Sequence, residues 1–294
     1  MKIKKSNSEK AFAVFNYIFM LGAMIITLYP FVYVINCSLS DSIKLMGSRG
    51  AMLVPKGFSL NAYKAVFANP NILTGYRTTL IIVVFGTALN VFMTAMGAFL
   101  LTRKKLKIRK TMSYMFIFTM YFSGGMIPTY LFIYDFLNLG DSLLALILPG
   151  LISTYNLLIM RTNFEAIPES LEESATIDGA NDIVILFRII LPLSLPVIAV
   201  MVLFYGVAHW NSWFNALLYI RTRTKYPLQL ILREILLLNS TESMMSDGAG
   251  ADKFMIGESI KYATIIVATL PILFIYPFIQ KYFVKGVMLG AVKG

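Results

Sequence analysis

The 294-residue chain is 57% hydrophobic and only 14% charged, with mean hydropathy +0.71; soluble domains run at about 45–50% apolar and about 25% charged. Its net charge of +11 sits in loops that flank apolar runs, which is a membrane-topology pattern and not a phosphate-tracking face, so nucleic acid is excluded as a partner and membrane lipid is expected around the chain. The single Cys37 excludes an internal disulfide or cysteine metal cluster, and the single His209 excludes a multi-histidine site.

In chain order, residues 1–10 are polar and basic, and an apolar run follows from Ala11 to about Asn36. That run exceeds the roughly 7–15-residue core of a cleaved signal peptide, so it reads as a first transmembrane helix that is retained. Residues 38–77 are polar, with turn signals at Pro55-Lys56-Gly57 and Asn69-Pro70-Asn71 and a short helix expected around Leu60 to Phe67. The second span is expected at about Thr78 to Leu101, ending in the basic block 102–110. The third, about Met112 to Ile133, contains Ser123-Gly124-Gly125 and Pro128, which should kink or open it. The fourth runs from about Ser142 to Met160 with a break at Pro149-Gly150. The fifth is expected at Leu195 to Ile220 and the sixth at Tyr262 to Phe283. Between these two, residues 226–236 read as an amphipathic helix lying at the membrane interface, and 239–257 as a flexible loop. The fold class is therefore all-α integral membrane with six transmembrane helices. The expected organisation is an N-terminal segment, first helix and exterior loop over 1–70, a five-helix core over 71–284, and a cytosolic tail over 285–294.

Six spans leave both termini on one side. The N-terminus, the 102–110 block, the 161–194 loop and the tail carry fifteen of the 26 Lys and Arg; the other eleven lie in two longer segments. Long segments count less in topology, so both termini are placed in the cytosol.

The 161–194 loop holds the most distinctive stretch. Pro168, Glu169, Glu172 and Glu173 suit a helix N-terminus. Leu171 and Ala175, with Ile167 or Ile177, fall on one side of a short helix, Asp178-Gly179 breaks it, Asn181 can cap a second helix through Ile183, Phe187 and Ile190, and Pro192 should end that. The spacing Glu173-Ser174-Ala175, three residues, Gly179, nine residues, Ile189, one residue, Leu191-Pro192 resembles the EAA loop motif of permease subunits in binding-protein-dependent ABC importers, with Ser174 in place of the commoner Ala. The Tyr226-Pro227-Leu228-Gln229 segment and the small-residue tail resemble the carbohydrate branch of that family.

This resemblance implies a type I ABC importer permease fold. The loop would couple to an ATPase through Glu169, Leu171, Glu172, Glu173, Ala175, Asp178, Gly179, Ala180, Phe187, Leu191 and Pro192. It further implies a second, different permease subunit, two ATPase subunits that bind ATP and Mg, an extracytoplasmic solute-binding protein and a carbohydrate substrate. Closure of the ATPases would push the loops together and swing the pore from inward-facing to outward-facing.

The residues themselves show no phosphate loop, no dinucleotide fingerprint and no histidine–carboxylate metal pair, so neither a catalytic nor a metal site is expected, and this chain requires a separate ATPase. A solute path needs polar groups inside spans. Tyr121, Ser123, Asn156, His209, Trp210, Asn211, Trp213 and Asn215 qualify, since aromatic faces beside amides suit a sugar; equally, the Trp and Tyr could form an interfacial belt and His209 could be a packed, hydrogen-bonded residue. Arg221, Arg223, Lys225 and Tyr226 could meet an anionic solute or an acidic binding protein. An ion-coupled secondary transporter is the alternative, but it needs inverted repeats and a buried ionisable residue that the spans lack.

Overall fold

The computed structural model describes residues 6–47, 50–237, 259–275 and 277, and the described residues are helical throughout apart from turns and one isolated bridge between Ser40 and Phe58. The expected loop 239–257, the end of the sixth span and the tail 285–294 lie outside them.

The chain divides into two compact units, 1–70 with 234–269 and 71–233 with 270–294. In the first, α1 (Asn7–Ser38) begins where the Glu9 carboxylate accepts from the Ser6 backbone N–H at 2.8 Å. Nearly all of α1 is exposed, as expected of a helix bathed in lipid or covered by a partner. Its C-terminal end packs Cys37 with Leu45 and Met52, against Tyr33 and Tyr262. Asp41 caps α2 (Ser42–Met46) by accepting from the N–H groups of Ile43 and Lys44. The short helix expected near Leu60 is α3 (Asn61–Ala68).

The second unit is built on α4 (Pro70–Thr102), whose start lies eight residues before the expected one because Pro70 occupies the first helical position. Residues Ile82–Gly86 of α4 form a π turn. α5 (Arg109–Tyr121) and α6 (Met126–Phe136) meet at 117°. This is a reversal, not a kink, and Gly125 at φ +87° provides the left-handed corner. α7 (Leu144–Gly150) and α8 (Thr154–Glu165) meet at 52°.

After α9 (Glu169–Ile177) come α10 (Asp182–Leu193) and α11 (Leu195–Trp210), bent by 84° at Ser194. Pro192 does not end α10: the π turn Leu186–Ile190 has already offset the bonding ladder, the Leu191 N–H reaching the Leu186 carbonyl, where proline has no N–H to give. The fifth span is also broken. It stops at Trp210 and resumes as α12 (Phe214–Tyr219), because the Asn211 amide donates to the Val207 carbonyl at 3.0 Å and competes with helix continuation.

α13 (Leu228–Leu237) is the amphipathic helix expected over 226–236. Its apolar side is covered by α4, where Ile231 sits over Gly75 and the Leu228 N–H donates to Thr79 Oγ1 at 2.9 Å. The last described helix is α14 (Ser259–Ile275).

By length and composition α1 and α4 can each cross a membrane, and the described residues reach up to five spans if each of the three bent pairs is one; α14 is a shorter apolar helix. The core of the second unit lies where Ala95, Ala98, Phe99 and Leu101 of α4 meet Leu157, Met160 and Phe164 of α8, Ile185 and Ile190 of α10, and Val197, Met201 and Tyr205 of α11. Small residues on α4 let the helices approach: a Cβ on Gly97 would stand 3.0 Å from Leu157.

Candidate functional site

At the Thr102 end of α4, the loop between α8 and α11 folds as two short helices about a glycine corner. Asp178 ends α9, and Gly179 adopts φ +85°. The Ala180 N–H donates to the Ala175 carbonyl and the Gly179 N–H to the Thr176 carbonyl, the paired bonds of a Schellman motif. Nothing lies within 4 Å of where a Gly179 side chain would begin, so this glycine is required by its backbone angle and not by crowding within the chain. Asn181 then caps α10 by accepting from the Val184 N–H at 2.9 Å.

The loop has two faces. Ile167, Ala175, Ala180 and Leu191 pack on the core of the unit. Leu171, Ile177, Ile183 and Phe187 are exposed, Ile177 by 86%, and Glu173 and Asp178 are exposed beside them. Leu171 thus parts from Ala175, with which its spacing had grouped it.

The acids of α9 are held by the basic block that the sequence assigned only to topology. Arg103 pairs with Glu172 at 2.7 Å and reaches Asp182 at 3.6 Å while its guanidinium lies 4.0 Å from the Phe99 ring centroid. Lys104 pairs with Glu169. One arginine therefore spans both helices of the corner. The partners lie some seventy positions apart in sequence, so no local pattern joins them.

Deeper in the bundle, the break between α7 and α8 exposes carbonyls that apolar surroundings cannot satisfy. Asn90, fully buried, donates to the carbonyls of Gly150 and Leu151 at 2.7 and 2.9 Å. Its Oδ1 meets His209 Nε2 at 2.6 Å. The π turn of α4 places Gly86 so close that a Cβ there would stand 2.7 Å from the same nitrogen. Tyr205 makes the next layer: its hydroxyl accepts from the Ser153 N–H at 3.0 Å and bonds Thr94 Oγ1 at 2.7 Å. His209 is accordingly a packed, hydrogen-bonded residue. Asn90, Thr94 and Tyr205 escaped the sequence reading, although an Asn within an apolar run is a signal in its own right.

Of the other path residues, Trp210 is buried and edge-on to Tyr76 at 6.3 Å. Asn211, Trp213 and Asn215 are exposed around the break between α11 and α12. Asn156 is buried on α8, and Tyr121 and Ser123 are exposed at the corner between α5 and α6. The cluster 209–215 is thus divided, His209 and Trp210 turning into the bundle and Asn211, Trp213 and Asn215 outward at the break.

At the Pro70 end of α4, Asp141 (φ 56°) in the α6–α7 loop makes an unforeseen lock. Its Oδ1 accepts from the N–H groups of Arg221 and Thr222 at 3.0 and 2.9 Å; its Oδ2 accepts from Thr222 Oγ1 at 2.6 Å and Lys225 Nζ at 2.8 Å. These bonds, the Lys225 bond foremost, hold the carboxyl well below the usual carboxylate range. Lys225 is therefore engaged within the chain. The Arg221 guanidinium lies 4.9 Å from the Tyr134 ring centroid, and Tyr134 stacks on Tyr130, which stacks on Tyr219.

The family described as "Binding-protein-dependent transport system inner membrane component" matches residues 95–289. The chain belongs to that family. Among its relatives, the polygalacturonan/rhamnogalacturonan transport system permease protein YtcP of Bacillus subtilis is 42% identical over 97% of this chain and 99% of its own length. Protein LplC of the same organism is 44% identical over 98% of this chain and 97% of its own length. A chain in the crystal structure of a bacterial ABC transporter involved in the import of the acidic polysaccharide alginate aligns with a TM-score of 0.87 at 28% identity, covering 96% of this chain and all of that one. As an inner membrane component of a binding-protein-dependent system, the chain is a transport permease with the importer permease fold, and not an enzyme.

Proposed function

We propose that this chain is one of two different pore-forming permease subunits of an ATP-driven importer, and that its cargo is an oligosaccharide carrying uronic acid residues. The substrate class is supported by the names of two similar proteins, a permease for polygalacturonan and rhamnogalacturonan and an importer of alginate. ATP and Mg are held by two separate ATPase subunits, and an extracytoplasmic binding protein delivers the cargo. Both termini and the 166–194 loop face the cytosol, consistent with the Lys and Arg distribution.

The observation that carries this reading is the two-faced loop. One side is packed on the bundle and braced by Arg103; the other exposes Leu171, Ile177 and Ile183 beside Glu173 and Asp178, while the half-exposed Phe187 stacks on Phe92 of α4. An exposed apolar patch rimmed by charge marks a protein interface, and its rigid attachment to α8, α10 and α11 lets a push on the loop tilt helices that line the bundle. Arg221, Arg223 and Tyr226, on the other side, meet the binding protein, while Lys225 keeps their loop in place through Asp141.

The test is uptake of oligogalacturonate into proteoliposomes holding the assembled complex. Uptake requires the ATPase subunits, internal ATP and the binding protein. Uptake sustained by an ion gradient without the ATPase would instead establish a secondary transporter.

A further inference from the structure

The most telling cation at the Pro70 end is Arg233 on α13. Its guanidinium lies 4.6 Å from the ring centroid of Trp213, and among the described residues no carboxylate pairs with it. In this it differs from Arg103, Lys104, Arg161 and Lys225, each of which has an acid partner within the chain, and resembles Arg221, which lies over Tyr134. A cation held by a fixed helix over an aromatic ring, with its N–H groups not taken up by an acid of the same chain, is available to an anionic ligand.

The ring satisfies only the face of the guanidinium. A guanidinium carries five N–H donors in its plane, and those point away from a stacked ring. The ligand that matches them is a carboxylate, which accepts two parallel bonds in that plane. Trp213 itself remains 36% exposed, and the indole surface not covered by Arg233 suits the apolar face of a sugar ring. Asn211 and Asn215, exposed on either side of the same break, offer amides to hydroxyls; the Asn211 Nδ2 is committed to Val207, which leaves its carbonyl oxygen as an acceptor.

The arrangement is preorganised. Gly75 admits Ile231 so closely that a Cβ there would come within 2.5 Å of its side chain, and Thr79 holds the Leu228 N–H. α13 is thereby seated on α4, and Arg233 is delivered to Trp213 by a fixed element and not by a loop.

We propose that Arg233 and Trp213 form a subsite that reads one uronate unit of the passing chain, the arginine pairing with the carboxylate and the indole stacking on the ring. This rests on the acidic-oligosaccharide reading above. It places the sign selectivity of the permease in α13 and the α11–α12 break, apart from Arg221, Arg223 and Lys225.

The experiment is equilibrium binding to the purified permease–ATPase complex, without binding protein, of tri-galacturonate and of its carboxyl-reduced counterpart. The wild type should prefer the acid form. Arg233→Gln should weaken tri-galacturonate at least tenfold and leave the reduced sugar unchanged, and Arg233→Lys should recover part of the loss, since it restores charge without the fork. Trp213→Ala should weaken both sugars. If Arg233→Gln weakens both equally or neither, Arg233 is a structural clamp and the subsite is refuted while acidic transport stands. If wild-type proteoliposomes import only neutral oligosaccharides in an ATP-dependent way, the substrate class falls and the subsite with it.

Discussion

Asn90 makes three hydrogen bonds from a position with no exposed surface, two as donor to the carbonyls of Gly150 and Leu151 and one to His209. An unsatisfied buried polar group costs about 1–3 kcal/mol in soluble proteins, whereas side-chain hydrogen bonds between membrane helices average about 0.6 kcal/mol. Three groups lose their partner together here, so Asn90→Ala should destabilise by about 1–3 kcal/mol, read from denaturant unfolding in detergent. Asn90→Asp should be no better, because a carboxylate cannot donate to either carbonyl; an Asp variant as stable as wild type would refute this assignment of donors. Asp141 answers to pH instead. Its carboxyl is depressed in the fold below an unfolded value near 3.9, so its stabilisation is fully present above about pH 4 and is lost as pH falls through the folded value. The stability gap between wild type and Asp141→Asn should stay constant from pH 8 to 5 and narrow below about pH 4, where the wild-type side chain begins to resemble the amide. A gap that closed already at pH 6 would assign the lock to another group.

At the scale of elements, the brace beneath α9 can be apportioned. Lys104 and Glu169 are both largely exposed, and such pairs contribute about 0.2–1 kcal/mol, less in salt. Arg103 and Glu172 are each about one-fifth to one-quarter exposed, and the same guanidinium stacks on Phe99 and reaches α10. Arg103→Ala should therefore raise amide exchange across 169–177 and uncouple ATP hydrolysis from uptake, while Lys104→Ala should do neither. The reversal Arg103→Glu with Glu172→Arg should restore part of what either single change removes; no restoration would mean that packing on Phe99, not charge, is what matters. The corner itself was legible because its chemistry is local: Gly179 supplies a positive φ and Asn181 a cap within a few residues of one another. Arg103 was not legible as a brace, since nothing near it in sequence names Glu172. The π turns at 82–86 and 186–190 were equally hidden, because no residue type demands them; their effects, the approach of His209 to Gly86 and the passage of α10 through Pro192, are set by tertiary packing. The glycines at 124–125 announced a break but not its angle, which depends on where α6 finds its neighbours.

For the whole molecule, orientation decides whether the two faces of the structure carry the roles proposed for them. The charge balance is modest, fifteen Lys and Arg against eleven, and rests on discounting long segments, so it calls for direct measurement. The chain provides a clean background for one. Its single cysteine, Cys37, is fully buried and should react little with a membrane-impermeant thiol reagent. Lys105 and Glu173 are exposed at the Thr102 end of α4, and Asn138 is exposed beside the Asp141 lock at the Pro70 end. Single cysteines at 105 and 173 should label only in inside-out vesicles, and one at 138 only in right-side-out spheroplasts. With the ATPase subunits assembled, labelling at 173 should fall while that at 105 persists, because Glu173 lies on the outward face of the loop beside Ile177 and Lys105 does not belong to it. The reverse sidedness would place the loop away from ATP and overturn the coupling role. Unchanged labelling at 173 on assembly would leave the orientation intact and remove the docking face.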